Sequence, residues 1–300
     1  MIRPKKHLGQ HFLRDENIAQ KIVGYLNPEI PLVLEVGPGM GVLTKYILDY
    51  DDGGSDRSGD GPRSAATAFD PWFMEVDRES VEYLKAVFPQ ISDRLITADF
   101  LAYDLDGFPP QAASADGINR SEQVLRPKFT VIGNFPYNIS SQILFKALEH
   151  RDRIPEVIGM FQKEVAERIA SPPGNKTYGI ISVLLQAFYH IDYLFTVSET
   201  VFYPPPKVKS AVIRLRRNST MKLACDEALF IKLVKTAFNQ RRKTLRNAIR
   251  SLIPPTTSGS AIPAGSITPS GWFSKCLDLR AEQLSVDDFV KLAAEISTFA

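Results

Sequence analysis

The sequence predicts an α/β protein, a doubly wound sheet followed by a smaller, basic, all-helical region. Three observations carry this. Short apolar runs such as Leu32–Val36, Phe129–Ile132 and Val157–Phe161 alternate with segments of helical periodicity, the pattern of strands linked by crossover helices. The first strong run empties into a glycine-rich turn, Gly37-Pro38-Gly39-Met40-Gly41. The charge is segregated: 207–250 holds thirteen Lys/Arg against Asp226 and Glu227, so with a net charge of +2 the remainder carries −9. A basic module joined to an acidic one points to a polyanionic partner.

The chain opens on a basic arm, Lys5-Lys6-His7, that leads through Gly9 to Phe12 and Leu13. Asp15 is placed to cap a helix carrying Ile18, Ile22, Val23 and Leu26. Pro31–Val36 then reads as a buried strand, and Leu43, Tyr46, Ile47 and Tyr50 as the apolar side of the next helix. Glycines at Gly37 and Gly39 let the backbone approach a ligand at the carboxyl end of the first strand, where open α/β sheets bind theirs.

A ribose-binding acid is expected about 20 residues further on, at the end of the second strand. Phe73–Asp77 has the character of that strand end, yet Glu75 lies 38 residues past Gly37. The stretch 51–70 is too polar and too rich in Gly and Ser to build a core. Without those 20 residues the spacing is 18, so 51–70 reads as an insertion, Glu75 as the ribose candidate and Asp77 as runner-up. Leu95–Phe100 is a third strand, ending at Asp99. A second polar insertion, 107–126, precedes Phe129.

Val131-Ile132-Gly133-Asn134-Phe135-Pro136-Tyr137 is a strand running into a rigid turn. Pro136 fixes its own φ and biases Phe135 towards an extended conformation. The turn offers an amide side chain, a held carbonyl and an aromatic face, which suits an exocyclic amine on a flat base. Helices follow from Ser141, Gln162 and Tyr178. Three prolines in Phe202-Tyr203-Pro204-Pro205-Pro206-Lys207 make an extended lead into a strand that ends near Leu215. The last third is helical: Phe230, Leu233, Val234, Ala237 and Phe238 form one stripe, 254–271 is a linker, and Ser285 has the pattern of an N-cap. The domain boundary is expected at 216/217.

With 44% hydrophobic and 23% charged residues, the composition is that of an ordinary globular protein. No apolar run approaches the ~20 residues of a membrane span, and no apolar segment follows the basic start, so a cytoplasmic protein without membrane contact is expected. Cys225 and Cys276 lack metal or redox spacing and read as free thiols. No metal site is expected.

Asn134-Phe135-Pro136-Tyr137 resembles the (Asn/Asp)-x-Pro-(Tyr/Phe) motif of amino-group methyltransferases that use S-adenosylmethionine. The longer Ile132–Ser140 string, Glu35–Gly41, Phe202–Ser210 and the basic Phe238–Asn247 segment are similar to the rRNA adenine N6,N6-dimethyltransferases. The resemblance spans nearly the whole chain apart from the insertions and linker. It implies a Rossmann-like class I methyltransferase sheet with a small helical domain, taking S-adenosylmethionine to its demethylated product, S-adenosylhomocysteine. Gly37, Gly39, Glu75 and Asp99 would hold the cofactor with Asn134. The Gly9–Leu13 segment is similar to the family's G-Q-N-F-L, which lies over the cofactor, so His11 and Leu13 join the set; His11 departs from the usual Asn. Asn134 and the Phe135 carbonyl would accept the target amine, and Tyr137 and Phe202 would sandwich the base. Lys207, Arg241, Arg242, Lys243 and Arg246 would hold RNA, the last four on a basic helix. The implied substrate is a pair of adjacent adenines near the 3′ end of small-subunit rRNA, within a precursor of the 30S particle, and the implied state a monomer. Rival readings are a large-subunit rRNA adenine methyltransferase, a DNA adenine methyltransferase and a ribosome-assembly factor that binds RNA without catalysis.

Overall fold

A computed structural model describes residues 2–50, 69–110, 126–253 and 271–298. The two expected insertions and the linker, apart from their ends, lie outside these. By its contacts the chain divides into two compact units, Met1–Ala166 with Asp192–Arg217, and Glu167–Ile191 with Asn218–Ala300.

The first unit is built on a sheet. In chain order its strands are β1 (Phe12–Leu13), β2 (Leu32–Val36), β3 (Asp70–Glu75), β4 (Leu95–Thr97), β5 (Thr130–Asn134), β6 (Glu156–Gln162), β7 (Tyr189–Val197), β8 (Phe202–Tyr203) and β9 (Ser210–Arg217). Seven of them form one sheet in the order β4-β3-β2-β5-β6-β9-β7, and β1 pairs with β8 in a separate ribbon. Strands β2 to β6 run parallel and β9 lies antiparallel to β6. Every residue of β2 is buried, as expected for a strand covered on both faces. Between the strands run α1 (Glu16–Val23), α2 (Val42–Leu48), α3 (Arg78–Val87), α4 (Ser140–Glu149) and α5 (Lys163–Ala170). Asp15 caps α1 by accepting the Ile18 amide at 3.1 Å. Ile22, Val33, Ile47, Ile132, Ile158 and Val212 meet in one apolar cluster, so α1, α2 and four strands share a core.

The α/β class agrees with expectation. Strand β7 is not among the expected elements: the sequence predicts a helix from Tyr178 to Leu185 and no element for Tyr189–Val197. That helix stops at Gln186, and a nine-residue edge strand rich in aromatic and β-branched residues follows.

The second unit packs α6 (Ile180–Gln186), α7 (Glu227–Asn239), α8 (Leu245–Ala248), α9 (Gly271–Leu277) and α10 (Val286–Ser297). Phe230, Leu233, Val234 and Ala237 of α7 are buried, and Phe238 lies 5.9 Å from Phe289 of α10 between ring centroids. Ser285 caps α10, accepting the Asp288 amide at 3.1 Å while Asp288 accepts from the Ser285 amide. Arg241, Arg242 and Lys243, expected on a helix, lie instead in a turn: α7 ends at Asn239 and α8, which carries Arg246, begins only at Leu245. No helix among the described residues is long and apolar enough to cross a membrane.

Candidate active site

A cavity opens at the carboxyl ends of β2, β3, β4 and β5, roofed by the amino-terminal arm. His11, Leu13, Gly37, Gly39, Glu75, Asp99, Asn134, Phe135 and Tyr137 all line it. Five separate segments therefore bring the expected residues to one place, and this is where a doubly wound sheet binds ligands.

The glycine turn is left-handed at Gly37 (φ 70°) and Gly39 (φ 58°). A Cβ on Gly39 would stand 2.9 Å from the Phe12 ring, so this position needs glycine for both conformation and space. Gly39 also donates its amide to Glu75 Oε2 at 3.0 Å. Glu75 Oε1 accepts the Val76 and Asp77 amides, each at 2.9 Å. Burial pushes the Glu75 carboxyl up, and these three amides pull it back without cancelling the shift. The group is thus fixed against the glycine turn, with acceptor capacity remaining on its oxygens.

Asp77 is used differently. Its carboxylate accepts Lys5 Nζ at 2.5 Å, Ser80 Oγ at 3.0 Å and Gln10 Nε2 at 3.4 Å. Burial raises its pKa, but Lys5, Ser80 and Gln10 outweigh that and hold it below the ordinary value. Asp77 pins the amino-terminal arm, which leaves Glu75 as the acid free to meet a ligand. Asp99 begins the loop on the far side of the cavity. That loop is held by Lys146, whose ammonium donates to the carbonyls of Leu101 at 2.8 Å and Tyr103 at 2.5 Å.

The Asn134 amide is oriented by the backbone across the cavity. Its Nδ2 donates to the His11 carbonyl at 2.8 Å, so Oδ1 is left as an acceptor to which no described residue donates. The Phe135 ring is 1% exposed. It sits over the paired glycines Gly133 and Gly159, where a Cβ on Gly133 would meet the ring at 2.7 Å, and it meets Phe161 edge-on at 5.4 Å. Packing the ring in the core holds the Phe135 backbone, and its carbonyl has no donor among the described residues. Tyr137 bonds Ser210 Oγ at 2.5 Å, and its ring stacks on His11 at 5.4 Å and 26°. The His11 ring in turn donates from Nδ1 to the Pro204 carbonyl at 2.7 Å.

Phe202 is not brought to the cavity. It is 3% exposed, stands opposite Leu13 in the β1–β8 ribbon and packs in the main core cluster. Of the cationic candidates, Lys207 is exposed on the first unit. On the second, Arg242 and Lys243 are exposed. Arg241 lies 3.6 Å from Glu282 and Arg246 2.8 Å from Asp278, so these two are already engaged within the fold.

Glu35 is a cavity-lining group that the sequence reading passed over. It is 1% exposed, and accepts Thr44 Oγ1 at 2.6 Å. Burial, with the neighbouring Glu75 charge, raises its pKa to about 8 against the opposing bond from Thr44. Its signal was a lone carboxylate within an otherwise apolar strand.

The comparisons agree with this geometry. The family model described as ribosomal RNA adenine dimethylase matches residues 1–53 and 72–265, its break overlapping the first polar stretch. The ribosomal RNA small subunit methyltransferase A of Cytophaga hutchinsonii is 50% identical over 298 residues, 99% of this chain and 98% of that protein. Its counterpart in Parabacteroides distasonis is 48% identical over 97% of this chain and 93% of that one. Among solved structures, a dimethyladenosine transferase from Plasmodium falciparum superposes with a TM-score of 0.65 at 21% identity, covering 96% of this chain and 98% of its own. The 23S rRNA methyltransferase ErmE gives 0.58 at 21% identity, with 94% and 99% covered. At that identity the two structures speak for the fold, and the fold is theirs. The family match and the close relatives settle the rest: the chain belongs to the ribosomal RNA adenine dimethylase family.

Proposed function

We propose that the protein transfers methyl groups from S-adenosylmethionine to N6 of two adjacent adenines near the 3′ end of small-subunit rRNA, leaving N6,N6-dimethyladenosine. The observation that carries this reading is the pair of open acceptors, Asn134 Oδ1 and the Phe135 carbonyl, at the edge of a cavity that also holds the glycine turn, Glu75 and Asp99. The cavity suits the cofactor: glycines admit a ligand to the backbone, Glu75 would accept from the ribose, and Asp99, on the cavity wall, would meet the adenine.

The cofactor, when bound, supplies an electrophilic methyl on a sulfonium. The protein's task is the acceptor, because an adenine N6 lone pair is delocalised into the ring. Hydrogen bonds from N6, to both Asn134 Oδ1 and the Phe135 carbonyl before the first transfer and to one of them before the second, favour a pyramidal nitrogen and orient its lone pair. As N6 gains the methyl, whose bond to sulfur would break to leave the neutral thioether S-adenosylhomocysteine, both oxygens face a nitrogen that becomes positive, which lowers the barrier electrostatically. Positioning in line contributes the larger share. The N6 proton then leaves to water. Tyr137, whose phenol burial pushes up more than the bond to Ser210 lowers it, offers a face to the base. The exposed Lys207, Arg242 and Lys243 bind the RNA backbone, with the salt dependence this entails.

Calorimetric titration with S-adenosylhomocysteine, followed by methyl transfer to purified small and large ribosomal subunits, tests the proposal. Cofactor binding with label confined to undermethylated small subunits supports it, and label confined to large subunits contradicts it. We further propose that the protein acts as a monomer, which light scattering checks.

A further inference from the structure

The β1–β8 ribbon divides its side chains between two environments. Phe12 stands opposite Tyr203, and Leu13 opposite Phe202. Leu13 and Phe202 are 4% and 3% exposed and face the core. Directly opposed residues of an antiparallel pair share a face, so Phe12 and Tyr203 lie on the other, joined by Arg14 two positions beyond Phe12. Phe12 lines the cavity. Tyr203 is 40% exposed, and the Arg14 guanidinium carbon stands 4.1 Å over the centre of its ring. Arg14 is itself exposed and has no acidic partner among the described residues. Tyr203 is also adjacent to Pro204, whose carbonyl holds the His11 ring that stacks on Tyr137. An exposed tyrosine capped by a guanidinium without an acidic partner thus sits one residue from Pro204, whose carbonyl holds the His11 ring over the motif tyrosine. Lys207 and Lys209, four and six residues past Tyr203, are exposed as well.

We propose that Arg14 and Tyr203 form a stacking subsite for the unpaired RNA base next to the adenine being methylated, with Arg14 also meeting its phosphate. This rests on the reading of the protein as an RNA-methylating enzyme. Extruding one adenine unstacks its neighbour and exposes that base's face. Single-stranded RNA is commonly bound by stacking such faces on aromatic rings and guanidinium planes, with cations tracking the backbone. The cation–π contact fixes ring and guanidinium as one surface before RNA arrives. Because the two targets are adjacent and the subsite lies on one side of the flipped base, it holds the other adenine while one of the pair is methylated and the next base along the strand while the other is.

The test is steady-state methylation of undermethylated small subunits by the full-length wild type, Tyr203→Ala, Tyr203→Phe, Tyr203→Trp and Arg14→Gln, with cofactor affinity measured alongside. Tyr203→Ala is expected to raise KM for the particle about tenfold, the scale of one lost base stack, while kcat and cofactor affinity stay at wild-type values. Tyr203→Phe and Tyr203→Trp should restore KM. Arg14→Gln should raise KM and reduce the salt dependence by about one phosphate contact. An unchanged KM in Tyr203→Ala, a rise that neither aromatic replacement rescues, or a loss confined to cofactor affinity would each overturn the proposal. Binding of a fluorescent adenine-rich oligoribonucleotide separates this from the parent reading. If the wild type binds the oligonucleotide better than Tyr203→Ala yet methylates neither subunit, the catalytic reading fails and the subsite stands; equal binding removes the subsite.

Discussion

Replacing Glu75 by Gln exchanges one oxygen of a buried carboxylate for an NH2 group, and the structure sets the consequence. The carboxylate accepts three amides, from Gly39 on Oε2 and from Val76 and Asp77 on Oε1. A glutamine has a single acceptor oxygen. Turned towards Val76 and Asp77 it keeps two bonds and sets its NH2 against the Gly39 amide; turned the other way it loses two. The better orientation still leaves one buried donor unsatisfied, at a cost of about 1–3 kcal/mol. Relief of the burial that pushes the Glu75 carboxyl up offsets part of this, so a net loss of about 1 kcal/mol is expected in urea unfolding. Cofactor affinity should fall further, because the glycine turn shifts and a donor now faces the ribose. A tenfold loss corresponds to about 1.4 kcal/mol, and a loss of at least that size is expected in titration with S-adenosylhomocysteine. Asp77→Asn, which loosens Lys5 and the arm, should leave affinity within a few fold. Unchanged affinity in Glu75→Gln, or a larger loss in Asp77→Asn, would refute the assignment of Glu75 as the ribose acceptor.

Glu35 carries a pKa of about 8 in the fold against about 4.5 unfolded, so the native state holds the extra proton between those values. Its contribution to stability is complete below pH 4.5 and is lost as pH rises through 8; Glu35→Gln should flatten that fall in urea midpoints between pH 5 and 9, and an identical slope would contradict it. Asn134→Ala removes an open acceptor and the bond to the His11 carbonyl; kcat should fall by about 10²–10³, by analogy with loss of one preorganised hydrogen-bonding group, with cofactor affinity reduced only severalfold. Cys276 is 3% exposed, and burial raises its thiol to about 12. Cys225 is only half-buried, so maleimide should label Cys225 first and reach Cys276 only on unfolding.

The parts of this protein legible in its sequence are those set by local chemistry. The Gly37–Gly41 turn, the Asp15 and Ser285 caps and the Asn134–Tyr137 turn each announce themselves within a few residues. Glu75 needed one further step, subtraction of a stretch too polar to pack. What was not legible depends on distant partners. The Asn134 amide is set by the His11 backbone, 123 residues away, and the His11 ring by Pro204, 193 residues away. Lys146 and Lys5 look like ordinary surface cations until the fold brings Leu101 and Tyr103, or Asp77, within reach. Phe202 and Tyr203 differ by one strand position, and only the register against Phe12 and Leu13 says which faces the core. Arg241, Arg242 and Lys243 are expected on a helix only through resemblance to the family's basic helix, whereas α7 has already ended at Asn239.

The central claim is adenine N6 dimethylation of the small subunit. Its most direct measurement is nucleoside mass spectrometry of rRNA from undermethylated small subunits, incubated with labelled S-adenosylmethionine and either the wild-type protein or Asn134→Ala. The account predicts N6,N6-dimethyladenosine with two labelled methyl groups per base from the wild type, and almost none from Asn134→Ala at the same cofactor occupancy. Undiminished dimethyladenosine from Asn134→Ala, or cofactor-bound wild-type protein that modifies no small-subunit adenine, would contradict it.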